Sequence, residues 1–369
     1  MAVPLYNLAP VLPILILGLL LALAPVAWIG LRHQQAAPRA RLRALTLVTL
    51  FLTLDLILFG AFTRLTDSGL GCPDWPGCYG EASPLAAHAP IHAAQTEMPS
   101  GPVTVSKAWV EMVHRYLATA VGALITVLMV MSWMSIRRAK RRIAWADWLP
   151  TFTFVWVCVQ GAFGALTVTM KLFPAIVSLH LLGAYFLLAL LTLQGAAMST
   201  SGPRTAPSVA PRWIAAALAL LVLQAASGAW VSTNYAVLAC SEFPRCQGQW
   251  WPTMDFARGF EIWRPLGESA DGTVLSFQAM TAIHVAHRLL AMVTALALTT
   301  LAWWLRKDDL LQRPARWLGA LVLLQLATGL SNVVLGWPMA AAILHTGGAA
   351  GMVAALVWML ALCKAKVTE

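Results

Sequence analysis

Polar residues are so sparse along this chain that its organisation is read most directly from where they break the apolar runs. Predominantly apolar stretches occupy residues 10–31, 44–62, 113–135, 148–168, 175–198, 213–233, 281–305, 314–335 and 340–363. Each is long enough to cross a hydrocarbon layer about 30 Å thick. Lipid offers no partners to an open strand's backbone, so the pattern predicts nine transmembrane helices. The first run has no basic stretch before it and is long for the apolar core of a signal peptide, so it reads as a retained helix. The expected fold class is all-α, a polytopic membrane protein.

Composition agrees with that class. Of 369 residues, 59% are hydrophobic and only 11% charged, with a mean hydropathy of +0.72, which excludes a soluble globule. The net charge of +10 suggests a nucleic-acid partner only until the charges are placed. Arg32–Arg43, the run RRAKRR at 137–142, Arg204, Arg212, Arg306–Arg316, Lys364 and Lys366 hold 17 of the 25 Lys and Arg residues. All fall on one side of a nine-helix chain, and the positive-inside rule makes that side cytoplasmic. The amino terminus is then outside and the carboxyl terminus inside, with membrane lipid and no nucleic acid as surroundings. The two long loops, 63–112 and 234–280, lie outside and carry four of the six cysteines, an oxidising location in a bacterium. Cys158 and Cys363 fall within helices and read as small core residues.

The chain is a duplication. GAFTRLTDSGLGCPDWPGCYG (60–80) lies over GAWVSTNYAVLACSEFPRCQG (228–248) without a gap, pairing Gly60 with Gly228, Cys72 with Cys240, Pro76 with Pro244, Cys78 with Cys246 and Gly80 with Gly248. A second block pairs Gln160 with Gln325, Gly164 with Gly329 and His180 with His345. Between them, His114-Arg115 corresponds to His287-Arg288. Helices two to five therefore repeat as helices six to nine in the same orientation, giving two tandem parallel four-helix bundle repeats plus one extra amino-terminal helix. The expected division is 1–43 for the extra helix and a cytoplasmic basic loop, 44–198 for the first repeat, 199–212 for a Ser-, Pro- and Ala-rich linker, and 213–369 for the second repeat.

The repeat also sorts the eight histidines. His33, His88 and His92 lie in loops without equivalents and read as surface residues. His114 and His287 sit at outer helix ends, while His180 and His345 lie about five residues, or roughly 8 Å, into their helices. Each half thus brings two imidazoles from two helices to one level, the way bundles present axial ligands to a haem. Zinc fits less well, because each half offers too few ligands at that depth. A hydrogen bond between helices or a proton relay is the alternative use of an intramembrane histidine.

The halves differ beside these residues. Glu111 stands three residues before His114, on the same helical face, and its equivalent is His284. A carboxylate can shuttle protons or stabilise a cation, and a second imidazole does this less well. The asymmetry marks the first haem as reactant and the second as fixed cofactor; pairing of Glu111 with Arg115 or Lys107 is the plainer reading. Arg64, Arg115 and Arg288 at outer helix ends suit haem propionates, and ordinary snorkelling explains them as well. Asp55 within helix two, opposite Leu223 in the repeat, belongs either to a proton path or to a bond between helices.

GAFTRLTDSGLGCPDWPGCYG, EMVHR, HLLGA around His180, HR at 287–288 and LHTGGA around His345 together resemble the haem A synthase family over residues 44–363. Members commonly have eight helices, so the first helix here is a departure. The resemblance implies oxidation of the C8 methyl of haem O to a formyl group, by successive hydroxylation to a gem-diol, with water often suggested as the oxygen source by way of a carbocation. It places the substrate haem with His114 and His180, Glu111 beside it, and haem b between His287 and His345 as electron relay. It further implies a bacterial inner membrane location, a farnesyltransferase (haem O synthase) as supplier and terminal oxidase assembly as destination, with a homo-oligomer left open. A dihaem b-type electron-transfer cytochrome that leaves haem unmodified is the alternative, and haem transport a third. Cys72 with Cys78 and Cys240 with Cys246 can each close a short disulfide loop on an oxidising surface. Such a loop is either a staple over the haem edge or, in the reactive half, a redox-active dithiol.

Overall fold

The computed structural model describes residues 5–139, 143–199 and 210–364. Most of the linker 199–212, together with Lys140, Arg141, Arg142, Arg204 and Lys366, falls outside the described residues. The helices are α1 (Val11–Arg32), α2 (Pro38–Leu65), α3 (His88–Glu97), α4 (Val105–Ala139), α5 (Leu149–Thr169), α6 (Pro174–Ser199), α7 (Ala210–Thr233), α8 (Phe256–Gly259), α9 (Phe277–Leu305), α10 (Gln312–Val334) and α11 (Met339–Lys364). All but α3 and α8 are long and apolar enough to cross a membrane, so nine spanning helices occur among the described residues. Each coincides with one of the nine apolar runs.

The helices outrun the apolar runs mainly at polar first turns. α2 begins at Pro38, whose fixed φ suits a first helical position. α4 begins at Val105 because the Thr104 hydroxyl oxygen accepts the Lys107 amide at 3.3 Å. Ser276 does the same for α9, accepting the Ala279 amide at 3.2 Å. The extension of α4 matters, since it puts Glu111 and His114 on one continuous helix well past its start.

The chain divides into two compact units, Met1–Leu172 with Leu190–Ser199, and Phe173–Ala189 with Thr200–Glu369. The boundary falls inside α6, so His180 clusters with the second unit although the repeat places it in the first. In the first unit α4 packs against α1, α2 and α5. In the second, α7 packs on α9 and α11, and α10 on α9 and α11.

Buried faces are built from small and hydroxylated residues as well as aliphatic ones. On α2, Thr46, Thr49 and Thr53 are buried, and each hydroxyl donates to the carbonyl four residues earlier, at 2.9, 2.8 and 2.7 Å. Hydroxyls satisfied inside their own helix can line a close helix contact without an unmet polar group in lipid. One expectation fails: Cys158 is exposed on α5 rather than part of a core, whereas Cys363 is half-buried. In a membrane the outside is as apolar as the inside, so a small apolar residue carries no inward preference. Asp55 is likewise on an exposed face of α2.

The extra first helix has a defined role in the first unit. Ahead of α1, the Asn7 amide donates to the Trp75 carbonyl at 3.2 Å and the Trp75 amide to Leu5 at 3.1 Å. Residues 5–7 therefore lie along the loop that holds Cys72 and Cys78. Ile14 of α1 and Ile91 of α3 share a buried cluster with both cysteines, Ala108, Met112 and Tyr116. His88 and His92 on α3 are exposed, as expected of surface residues.

Candidate functional site

Both cysteine pairs are disulfides, with Cα atoms 4.9 Å apart in each. The duplication is visible in their backbone. Trp75–Pro76 and Phe243–Pro244 are both cis, and Tyr79-Gly80 and Gln247-Gly248 all have positive φ. An isolated bridge closes each loop, Cys78 with Glu81 and Cys246 with Gln249. A carboxylate gathers each turn. Asp74 accepts the Tyr79 and Gly80 amides at 2.6 and 2.7 Å, and Glu242, its equivalent, accepts the Gly248 amide. Burial together with the Asp74 charge pushes the Tyr79 phenol up.

An arginine of the helix below ties each loop down. Arg115 on α4 donates to the carbonyls of Asp74 at 3.1 Å, Pro76 at 3.0 Å and Gly77. Arg288 on α9 donates to Arg245 and Cys240 carbonyls, each at 3.1 Å. Two of the three guanidiniums suggested for propionates are therefore engaged with the loops, although the Arg288 Nε is buried without a partner. Arg64 pairs with Asp67 at 3.3 Å near the surface.

Glu111 is where the halves part. Only 4% exposed, it pairs with Arg115 and accepts the Cys72 amide at 2.8 Å. Cys72 reaches it because Gly71 lies flat against α4: a Cβ there would sit 2.5 Å from the Lys107 carbonyl carbon and oxygen. One carboxylate thus joins the His114 helix, the loop arginine and the disulfide. In the second half His284 takes this place, buried, with its Nδ1 unpartnered.

The four candidate ligands are half-buried, whereas His284 is fully enclosed. Three of them rest against a glycine of a facing helix. A Cβ at Gly60 would lie 3.1 Å from His114, at Gly228 3.0 Å from His287, and at Gly329 3.1 Å from His345. The glycines matched in the repeat are thus the places where an imidazole reaches a neighbouring backbone. In the second unit His287 and His345 come from α9 and α11, both of which pack on α7 and α10. No group of three or more His, Cys, Asp or Glu side chains able to hold a bare metal ion occurs among the described residues. The two imidazoles of the second unit, with no third donor among the described residues, fit a haem, which brings four nitrogens of its own.

Of the polar residues beside the second-half histidines, only Gln325 stood out in the sequence, as the match of Gln160. The Ser227 hydroxyl lies 2.8 Å and the Gln224 amide nitrogen 3.1 Å from His287 Nδ1. Thr328 lies 3.0 Å from His345 Nδ1, and Gln325 donates to the His345 carbonyl at 2.8 Å. Their first-half equivalents differ. Phe59, at the place of Ser227, stacks on His114 with ring centroids 6.2 Å apart. The Gln160 amide and the His180 Nδ1 are buried without partners. The signal was present in the repeat, as matched positions of unlike polarity. Arg264, 1% exposed and donating to Asn234 at 2.7 Å beneath the Trp230 ring, has no equivalent and left no such signal.

Residues 43–357 match the family model COX15-CtaA, described as a cytochrome oxidase assembly protein. The chain is 39% identical over 319 residues to a "Heme A synthase" of Shewanella oneidensis, covering 84% of this chain and 93% of that one. Similar proteins of that name from Rhizorhabdus wittichii and Halalkalibacterium halodurans are each 26% identical, over 88% and 78% of this chain and 95% and 86% of theirs.

Proposed function

The chain belongs to the COX15-CtaA family as a multi-pass bacterial membrane oxidoreductase of the haem A synthase type, and we propose that it converts haem O to haem A with its two halves in different roles. The first half binds the substrate haem through His114 and His180, and the second holds haem b between His287 and His345. Haem b, when bound, supplies one-electron transfer away from the substrate. Sequence equivalence within the repeat carries the His114 and His180 assignment. The single observation that carries the division of roles is Glu111, a buried carboxylate three residues before His114 whose counterpart is His284.

The residues of the chain would act as follows. Glu111 keeps a negative charge beside the substrate ligand, held there by Arg115 and the Cys72 amide. Because both its oxygens are engaged, it is better suited to stabilising positive charge at the C8 carbon than to ferrying protons. The disulfide loop, drawn down by Arg115, shields that region from the outer water. The second-half imidazoles hold their haem in place.

The outer loops carry both disulfides and the described cytoplasmic ends carry basic residues, which supports an amino terminus outside and a carboxyl terminus inside. A farnesyltransferase that makes haem O would supply the substrate, and terminal oxidase assembly would take the product. The test is haem extraction and chromatography from purified protein coexpressed with a haem O-producing farnesyltransferase. Haem A together with haem B is expected. Haem B alone would reject the synthase reading in favour of the electron-transfer cytochrome.

A further inference from the structure

We propose that Ser227, Gln224 and Thr328 are positioning residues that fix both second-half imidazoles in one tautomer and one ring orientation, and that their apolar replacement in the first half keeps the haem there exchangeable. The proposal rests on the reading that the second half holds the resident haem.

A hydroxyl has one hydrogen, and here each one is already assigned. Ser227 donates to the Gln224 carbonyl at 2.8 Å, and Thr328 donates to the Leu324 carbonyl at 2.7 Å. With their hydrogens on those carbonyls, the oxygens that face His287 Nδ1 at 2.8 Å and His345 Nδ1 at 3.0 Å accept. The Nδ1 atoms then carry the proton and the Nε2 lone pairs are left for an iron, with the Gln224 amide nitrogen 3.4 Å from the Nε2 of His287. Gln224 completes the arrangement. Its Oε1 is buried without a partner while its nitrogen lies 3.1 Å from the same Nδ1–H. Turning the amide over puts its oxygen before Nδ1 as a second acceptor.

At the equivalent first-half positions stand Leu56, Phe59 and Phe163, whose side chains have no polar atom. Phe59 stacks on His114, and His180 Nδ1 is buried without a partner. The difference follows the two tasks. A cofactor must stay through every turnover, and a substrate must arrive and leave. Hydrogen bonds to the far nitrogen of a ligating imidazole orient the ring and raise its basicity, and losing one typically costs about 10–100-fold in affinity.

The experiment uses full-length purified holoprotein. Thr328→Val and Ser227→Ala each remove one acceptor on different ligands, so one variant serves if the other does not fold. Each should lose haem b to a haem-scavenging globin about 10–100-fold faster than the parent. Each should also raise the haem b midpoint potential, and Thr328→Ser should restore both properties. In the first half, Leu56→Gln with Phe59→Ser should slow haem release and leave haem trapped in the purified protein. Unchanged release and potential in Thr328→Val and Ser227→Ala overturn the tether alone, provided His345→Met shifts the haem b spectrum. An unchanged spectrum in His345→Met overturns the resident-haem reading and the tether with it.

Discussion

Replacing Glu111 by Gln separates its chemistry from its place in the fold. The carboxylate and Arg115 form a pair whose side chains are only 5% and 10% exposed. Removing one member of a buried pair usually costs about 3–5 kcal/mol because the other charge is left uncompensated. Arg115 is not left so. It keeps the Asp74, Pro76 and Gly77 carbonyls, and the new amide oxygen can still accept from either Cys72 or the guanidinium. The loss then reduces to about one hydrogen bond to a charged group, about 1.5–3 kcal/mol. Glu111→Gln should therefore fold, keep its haem b spectrum and retain the Cys72–Cys78 disulfide.

Turnover should respond far more. A preorganised charge facing a developing cation is worth about 3–4 kcal/mol in the transition state, so haem A formation should fall about 100- to 1000-fold. Membranes from cells supplied with haem O, assayed by haem chromatography, should show haem O accumulating beside normal haem b. Haem A produced by Glu111→Gln at the parental rate would refute the catalytic role and leave only the tie between α4 and the loop. Loss of haem b from the same variant would instead show that the halves are assigned the wrong way round.

The glycine contacts give a second prediction. Gly228→Ala puts a methyl 3.0 Å from the His287 ring, inside the roughly 3.5–4.0 Å of an ordinary carbon contact, and should shift or weaken the haem b absorption bands. Unchanged bands would mean that His287 is not a ligand. Cover gives a third: both disulfides are buried, but residues 5–7 are hydrogen-bonded across the Cys72–Cys78 loop at Trp75, so dithiothreitol should reduce Cys240–Cys246 first, as read by thiol labelling and mass spectrometry. Removing residues 1–7 should erase that order, and an order unaffected by the truncation would show that the chain's start is not a cover. Cys72→Ser tests the purpose of the loop. A short disulfide loop contributes about 2–3 kcal/mol, so a staple predicts a thermally weakened protein with near-parental haem A output. A stable protein without output would make the pair redox-active.

What the sequence made legible follows from which forces act along the chain. Lipid demands apolar runs of fixed length, so all nine spans could be located from hydropathy alone. The duplication let matched histidines, glycines and cysteines stand out without any comparison to other chains, and the disulfides, the shared turns and the imidazole–glycine contacts all fall at those matched positions. Helix starts were missed at Val105 and Phe277, because polar first turns rise out of the apolar layer and are set by the capping Thr104 and Ser276. Cys158 was misplaced because hydropathy cannot tell a lipid face from a protein face. The partition of α6 between the two compact units left no trace in the hydropathy pattern, because packing does not show in it.

Under the proposed division of roles, the matched positions that diverge account for how one fold would hold two tasks. Loop geometry is common to both halves down to the carboxylate at Asp74 and Glu242 and the tying arginine at Arg115 and Arg288. The changes fall at Glu111 against His284, one turn before the ligand on its own helix, and at Phe59 against Ser227 and Phe163 against Thr328 on other helices. Altering the scaffold would have disturbed both halves' buried cores, whereas exchanging a side chain at a ligand's far nitrogen alters only that ligand. Reactivity and retention could thus be tuned in opposite directions on the same frame. A chain with Glu at 284 and Phe at 227 and 328 should accordingly lose its resident haem without gaining a second reactive half, because Glu111 also depends on the Cys72 amide and on Gly71 lying against α4, and the residue aligned with Gly71 is Ala239.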